Sequence, residues 1–304
     1  MNTGTTAHAD GRAERPEIPT RLLVHALVRE DGTVDAGELY TVAGLLGMSD
    51  QQIRLCVKRL VIEGLFTQEG RGRKATLRAV ADATGALAPD AAYVRHAYRQ
   101  DAGSAPWDGT WHLFAFAIAE SRRTARDALR EHLLHLGAAP VHNGLYVTAN
   151  PVTELVEAQA RHLGVLTTLT CLTSTDLRIG GLAEPRALAA ALWPLPEIAE
   201  RHEQLAAFAH ACLDRLTEDP EPSDPERLTL AVELAAQFTR AMDPDPLLPP
   251  ELLPQPWPGA RARALAADCW RLLSEAGPAG RTPGLRLFAL YADALSPADG
   301  EWRD

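Results

Sequence analysis

Lysine is nearly missing from this chain of 304 residues: Lys58 and Lys74 are the only two, so arginine supplies almost all of the 30 basic side chains. No run of eighteen apolar residues occurs and the N-terminus has no signal-peptide pattern. A spanning helix and an exported precursor are therefore not expected, and the reading is a cytoplasmic protein that does not enter the membrane. Cysteine is sparse: Cys56, Cys171, Cys212 and Cys269 are scattered and form no CxxC pair. That excludes a disulfide framework and reads as isolated buried thiols in a reducing compartment. The chain also lacks GxSxG, GxxxxGK[ST] and a GxGxxG set between strand and helix, which leaves no motif for a serine hydrolase, an NTPase or a dinucleotide enzyme. Glu131-His132-Leu133-Leu134-His135 is not the HExxH order, and its two histidines read as solvated side chains rather than metal ligands.

What is present is an island of positive charge. From Arg54 to Arg78 lie seven cations (Arg54, Lys58, Arg59, Arg71, Arg73, Lys74, Arg78) against Glu63 and Glu69, a net of +5 in a chain of net −10. Both lysines fall here. Asp50 to Gly64 has helical periodicity: Ile53, Cys56, Val57 and Leu60 share one side, Gln51, Arg54 and Lys58 the other. Ser49 is placed to cap this helix, with Gln52 three residues on as in a capping box. Leu65 to Val80 reads as strand, turn, strand with Glu69-Gly70-Arg71-Gly72-Arg73-Lys74 at the tip. Two amphipathic helices precede it, Ile18 to Arg29 and Ala36 to Leu46, joined to the third by Gly47-Met48-Ser49. Together these elements predict a winged helix-turn-helix over residues 18–80.

A helix that buries one stripe and presents Gln, Arg and Lys on the other suits the major groove, and a basic hairpin suits the phosphates. The candidate contacts with double-stranded DNA are Ser49, Gln51, Gln52, Arg54, Leu55, Lys58 and Arg59 on the helix, with Arg71, Arg73 and Lys74 on the hairpin. Arg54 is placed for a guanine edge or a phosphate. Leu55 either meets a thymine methyl or covers the second helix.

The remainder divides further, as a length of 304 residues and 46% hydrophobic content permit. Residues 1–17 are a polar leader expected to be disordered. Residues 81–106 read as a connector with a short helix from Ala91 to Arg99. Residues 107–175 alternate: strand Trp111–Ile118, helix Ser121–Leu136 capped by Ser121 and stopped at Gly137, a strand Val141–Thr148 broken at Asn143-Gly144, helix Val152–Leu163 and strand Val165–Leu172. That order suggests a small ferredoxin-like α/β unit. Residues 176–276 are Ala/Leu-rich and helical (Pro196–Leu216, Pro225–Met242, Gly259–Ala276), with a proline-dense loop from Asp243 to Pro258. Residues 277–304 read as a loosely ordered tail. The predicted class is α/β and multidomain.

Three segments together resemble the PaaX family, bacterial repressors of phenylacetic-acid degradation operons. They are Arg54–Gly64 with the Arg71-Gly72-Arg73-Lys74 turn; Trp107-Asp108-Gly109-Thr110-Trp111 with Leu136-Gly137 and Gly144-Leu145-Tyr146-Val147; and Asp245-Pro246-Leu247-Leu248-Pro249-Pro250-Glu251-Leu252-Leu253-Pro254 running into Trp257-Pro258-Gly259. The resemblance covers residues 18–276. It implies a central domain similar to Cas2, a helical C-terminal domain, and a homodimer on an inverted-repeat operator. It also implies release by an aryl-CoA thioester such as phenylacetyl-CoA, with no cofactor. The chain departs from the family at Leu55 and Cys56, where small or hydroxyl residues are expected, and at Gln255-Pro256, where many relatives carry an acid.

Candidate effector contacts are Trp107, Trp111 and Trp257, with Arg123, Arg126 and Arg130 (and Arg122 beside them) forming a basic strip for CoA phosphates. The plainer readings are core packing for the tryptophans and a solvated face for the strip. An alternative is a PaaX-like regulator of another pathway with a different effector or none. A Cas2-like nuclease is a further one, but it needs a carboxylate at the end of the first central strand, and His112–Ala119 has no acid before Glu120. A nucleoid-coating protein is disfavoured by the acidic C-terminal half. The chain is not expected to be an enzyme.

Overall fold

The computed structural model describes residues 18–80, 91–218, 220–275 and 284–295. The expected leader, residues 81–90 of the connector and most of the expected tail lie outside the described residues.

The N-terminal segment holds α1 (Thr20–Ala26), β1 (Thr33–Asp35), α2 (Ala36–Leu45), α3 (Asp50–Ile62), β2 (Phe66–Glu69) and β3 (Thr76–Ala79). Asp35 caps α2 by accepting from Glu38 N at 2.8 Å. The capping box expected at Ser49 and Gln52 is present at the start of α3. β2 and β3 form the expected hairpin, and β1 adds a third antiparallel strand beside β3. The sequence pattern did not show β1, which is only three residues long and pairs with a strand some forty positions away.

The central unit runs β4 (Trp111–Phe116), α5 (Arg123–His135), β5 (Ala139–His142), β6 (Leu145–Thr148), α6 (Thr153–His162) and β7 (Leu169–Ser174), with the antiparallel order β5-β6-β4-β7. This is the expected ferredoxin-like connectivity. Three local expectations need correction. Val141–Thr148 is not one broken strand but the end of β5, the turn at Asn143-Gly144 and all of β6, a hairpin in which Gly144 takes φ +77° and a Cβ there would meet Phe116 O at 2.6 Å. Ser121 does not cap α5: it lies in a short 3-10 turn, Glu120–Arg122, and the cap position is Arg122 with no side-chain cap bond. The last strand begins at Leu169, after another 3-10 turn over Leu166–Thr168.

The two faces of this sheet are covered differently. Phe114 and Tyr146 pack under α5 and α6 with Leu129, Leu133, Val156 and Ala160. Trp111, Leu113 and Val147 point the opposite way, as a two-residue period requires. They pack against α7 (Pro185–Leu192), Trp193 and Leu248, Leu252 and Leu253 of the proline loop.

The C-terminal helices are α8 (Leu195–Thr217), α9 (Asp224–Met242), α10 (Pro258–Glu275) and α11 (Arg286–Leu295), joined by α4 (Ala91–Asp101) from the connector. α11 corrects the expectation of a loose tail: Leu285, Leu287 and Tyr291 are buried, and Tyr291 stacks on Trp270 at 4.0 Å. Gly and Pro on either side hid its apolar stripe. One hydrophobic core runs from α1, α2 and α3 through α4 into α8, α9, α10 and α11. Backbone bonds from Glu30 N to Gly284 O and from Arg286 N to Val28 O fasten the N-terminal segment to the helical body.

Candidate nucleic-acid interface

α3 is amphipathic as its sequence dictates. Ile53, Val57 and Leu60 are buried, while Gln51, Arg54, Leu55, Lys58 and Arg59 are exposed. Leu55 is 59% exposed, so it does not cover α2, and Ile62, one turn past Lys58, is 74% exposed. Among the described residues, no hydrogen bond or ion pair holds Arg54, Lys58, Arg71 or Lys74. A groove of about 390 Å³ between α2, α3 and the hairpin is lined by Tyr40, Arg54, Lys58, Ile62, Gln68 and Arg71. Three of the predicted contact residues, Arg54, Lys58 and Arg71, thus share one concave face with an apolar floor from Leu39, Val57 and Leu77.

Three predicted contacts are committed elsewhere. Gln52 Oε1 accepts from Ser49 N at 2.8 Å, and Ser49 Oγ accepts from Gln52 N at 3.3 Å, so both side chains are occupied in starting the helix. Arg73 folds back from the hairpin tip: its guanidinium lies 5.3 Å from the centre of the Tyr40 ring and 3.4 Å from Asp50 Oδ1. Arg73 therefore clamps the tip against α2 and the start of α3, a cation–π and ion-pair contact worth little individually at an exposed site. Gly70, at φ +82°, permits the tight turn that returns it.

The predicted effector contacts do not converge. Trp107, Trp111 and Trp193 form an aromatic cluster on the sheet face that meets the helical body, with Trp107 edge-on to Trp111 at 5.3 Å and Trp193 stacked on Trp111 at 6.3 Å. Arg123, Arg126 and Arg130 lie on α5, against the opposite face. The strip is also partly neutralised: Arg123 pairs with Asp127 at 3.3 Å, and Arg126 with Glu120 at 2.7 Å. Arg122 donates to Leu163 O and Gly164 O, both at 2.7 Å. Trp257 packs edge-on to His202 at 6.2 Å and its ring blocks any Cβ at Gly259. Of the two α5 histidines, His135 is exposed, but His132 is half-buried and burial lowers its pKa, so only the first matches the solvated expectation. Among the described residues no cluster of three or more His, Cys, Asp or Glu side chains could hold a metal ion.

What the sequence concealed is a buried polar junction around the proline loop. Asp245 accepts from His202 Nε2 at 2.6 Å and from Leu247 N at 2.9 Å. Arg263, also buried, reaches Asp101 with two contacts of 2.6 Å and Asp245 at 3.5 Å. Burial pushes the Asp245 carboxyl upward, but the His202 bond and the His202 and Arg263 charges outweigh it and hold the pKa below its ordinary value. Tyr93 from α4 donates to Asp245 O, and Asn150 Nδ2 donates to Pro246 O and Leu247 O at 3.0 and 3.1 Å. Leu247 is thereby held at φ 50°, a left-handed conformation that costs about 1–2 kcal/mol for a non-glycine residue. Gly137 lets the loop approach: a Cβ there would sit 2.4 Å from Pro246 O. The only advance sign was the Asp245-Pro246 pair within the proline motif, because the partners are spread over 162 positions.

The arrangement defines a chain with a basic helix-and-hairpin face carried on a mixed α/β body. Comparison with known proteins gives the family. Residues 104–189 match the PaaX protein central Cas2-like domain, and residues 193–279 match the PaaX-like protein C-terminal domain. The chain is 25% identical over 254 residues to the transcriptional repressor PaaX of Escherichia coli (strain K12), covering 83% of this chain and 78% of that protein. It is also similar to the solved structure of the uncharacterized protein Rv0674 from Mycobacterium tuberculosis, at 22% identity, 84% and 93% coverage and a TM-score of 0.49. The chain belongs to the PaaX family. No helix among the described residues is long and apolar enough to cross a membrane.

Proposed function

We propose that this protein is a DNA-binding transcriptional repressor whose winged helix-turn-helix, residues 18–80, inserts α3 into the major groove. The observation that carries this is the exposed set Gln51, Arg54 and Lys58 on α3 beside Arg71 and Lys74 on the hairpin, an untied basic face in an acidic chain. Base edges fall to Gln51 and Arg54, and to Leu55 through thymine methyl contact; Lys58, Arg59, Arg71 and Lys74 meet phosphates. The family's named relative is a transcriptional repressor, which supports repression here. No catalytic role follows from the sequence, since β4 ends in Phe116 with no acid before Glu120, and Glu120 is paired with Arg126.

In this reading the protein works in the cytoplasm as a homodimer on an inverted repeat. An aryl-CoA thioester such as phenylacetyl-CoA releases it by favouring the off-DNA arrangement, a shift limited by its difference in affinity for the two states. The shared core between the DNA-binding segment and the helical body supports rearrangement of that body, rather than swinging of a loose head, as the route of release. The test is fluorescence anisotropy on the upstream DNA with and without phenylacetyl-CoA. Specific binding lost with the thioester, but retained with free CoA, supports repressor and effector together. Specific binding that ignores the thioester retains the repressor and removes that effector. No specific binding to any upstream segment contradicts the reading.

A further inference from the structure

The four-stranded sheet of the central unit ends in two unlike edges. At the β5 edge, Pro140 carries no N–H, the pairing with β6 shifts between Pro140 and His142, and α7 packs close by. A proline and a bulge are devices that keep an edge from pairing again. The β7 edge has neither. Its six residues, Leu169-Thr170-Cys171-Leu172-Thr173-Ser174, include no charge and no proline, and they pair with β4 in unbroken register. Among the described residues no strand pairs with its outer side, so alternate N–H and C=O groups there lack a backbone partner. Leu172, on the sheet face it shares with Leu113, is 53% exposed.

The helix above this edge carries charge in an order that suits an antiparallel copy. Helical phase sets Glu154, Glu157 and Arg161 in one sector of α6, away from the buried Val156 and Ala160. That sector turns toward the β7 edge: Glu157 is near enough to the Cys171 thiol that its charge adds to burial in raising that pKa. Among the described residues none of the three takes part in an ion pair. Acid thus lies toward the N-terminal end of α6 and base toward its C-terminal end.

We propose that β7 is the homodimer interface: a second copy of this chain docks antiparallel along its outer edge and joins two four-stranded sheets into one of eight. A two-fold axis perpendicular to the sheet keeps the helix faces of both copies on one side and sets each β7 against its own copy. The same axis lays the two α6 helices antiparallel, so Glu154 and Glu157 of each copy approach Arg161 of the other. An uncharged strand meets itself without like-charge repulsion. Near the axis the two Leu172 side chains cover one another. The blocked β5 edge leaves no equivalent surface on the far side of the sheet. This gives the homodimer of the repressor reading a definite surface, and the dimer's role on DNA rests on that reading.

Sedimentation velocity of the full chain at micromolar concentration tests this. The unsubstituted chain is expected to sediment as a dimer. Leu172→Lys, which adds charge to an already exposed edge position, should raise the dimer dissociation constant about tenfold or more with the circular dichroism spectrum unchanged. Glu154→Lys combined with Glu157→Lys should weaken the dimer similarly, and adding Arg161→Glu should restore it, a rescue that a merely damaged fold would not show. A dimer that none of these changes weakens overturns the proposed surface and leaves the homodimeric repressor in place. Weakening by the two lysines that Arg161→Glu fails to reverse overturns the antiparallel arrangement. A chain that stays monomeric, alone and on upstream DNA, overturns the surface and the homodimer together, while anisotropy on the same samples reports DNA binding independently.

Discussion

Two regions of this protein concentrate charge, and they spend it differently. On α3 and the hairpin the cations are exposed, and among the described residues only Arg73 is tied back, to Asp50 and Tyr40. At the proline loop Arg263, Asp101, Asp245 and His202 are withdrawn from water and bonded to one another. Exposed charge costs the fold little and remains available to a polyanion. Buried charge is tolerable only with its partners in place, so it fixes geometry. The first region is the one the proposed function uses for binding, and the second holds the central sheet, α4 and the helical body in one relation.

The largest expected effect breaks the buried side of this comparison. Arg263→Leu strands Asp101 and Asp245 without their cation and should cost about 3–5 kcal/mol of stability in urea unfolding. The opposite profile is expected at the exposed side. Arg54→Ala should weaken specific DNA binding by on the order of 1–3 kcal/mol while shifting stability by less than about 0.5 kcal/mol. An equal loss on random DNA would make Arg54 a phosphate contact instead.

Acidification sharpens the contrast. The folded-state pKa of His96 is depressed to about 4 from 6.5, so the unfolded chain takes up its proton first. The stability it supports is full above pH 6.5 and falls as pH drops toward 4, by about 1.4 kcal/mol at pH 5.5. His96→Gln should flatten that part of the profile, measured by urea midpoints across pH. Asp245, with a depressed carboxyl, adds a second loss only below its ordinary value of 3.8. The smallest effect should come from Arg73→Ala, below about 1 kcal/mol in thermal stability. Lys74→Ala should instead lower the slope of log affinity against log salt by about one.

Much of the candidate interface was legible because it is local. The α3 stripe, the Ser49 and Gln52 box and the glycine-flanked hairpin tip each depend on residues within a few positions of one another. The same box engages Gln52 at the helix start, and a residue that caps a helix and a residue that meets DNA look alike in sequence. The order of the central unit was also readable, although Asn143-Gly144 marked a hairpin rather than an interrupted strand. What stayed hidden is what distance in sequence hides. β1 is defined only by its partner, and α11 only by the core it completes. Sequence alone groups the tryptophans with the α5 arginines, whereas the sheet places Trp111 on one face and α5 on the other. The Arg263 network joins residues from four segments and has no periodic signature.

The most direct test of the account is anisotropy of labelled upstream DNA against the full chain and its Arg54→Ala variant, repeated across salt concentrations. The account predicts tight, sequence-selective binding that weakens steeply with salt, and loses selectivity in the variant while the fold is retained. Binding that is equally weak on specific and random DNA, and unchanged by the substitution, would contradict it.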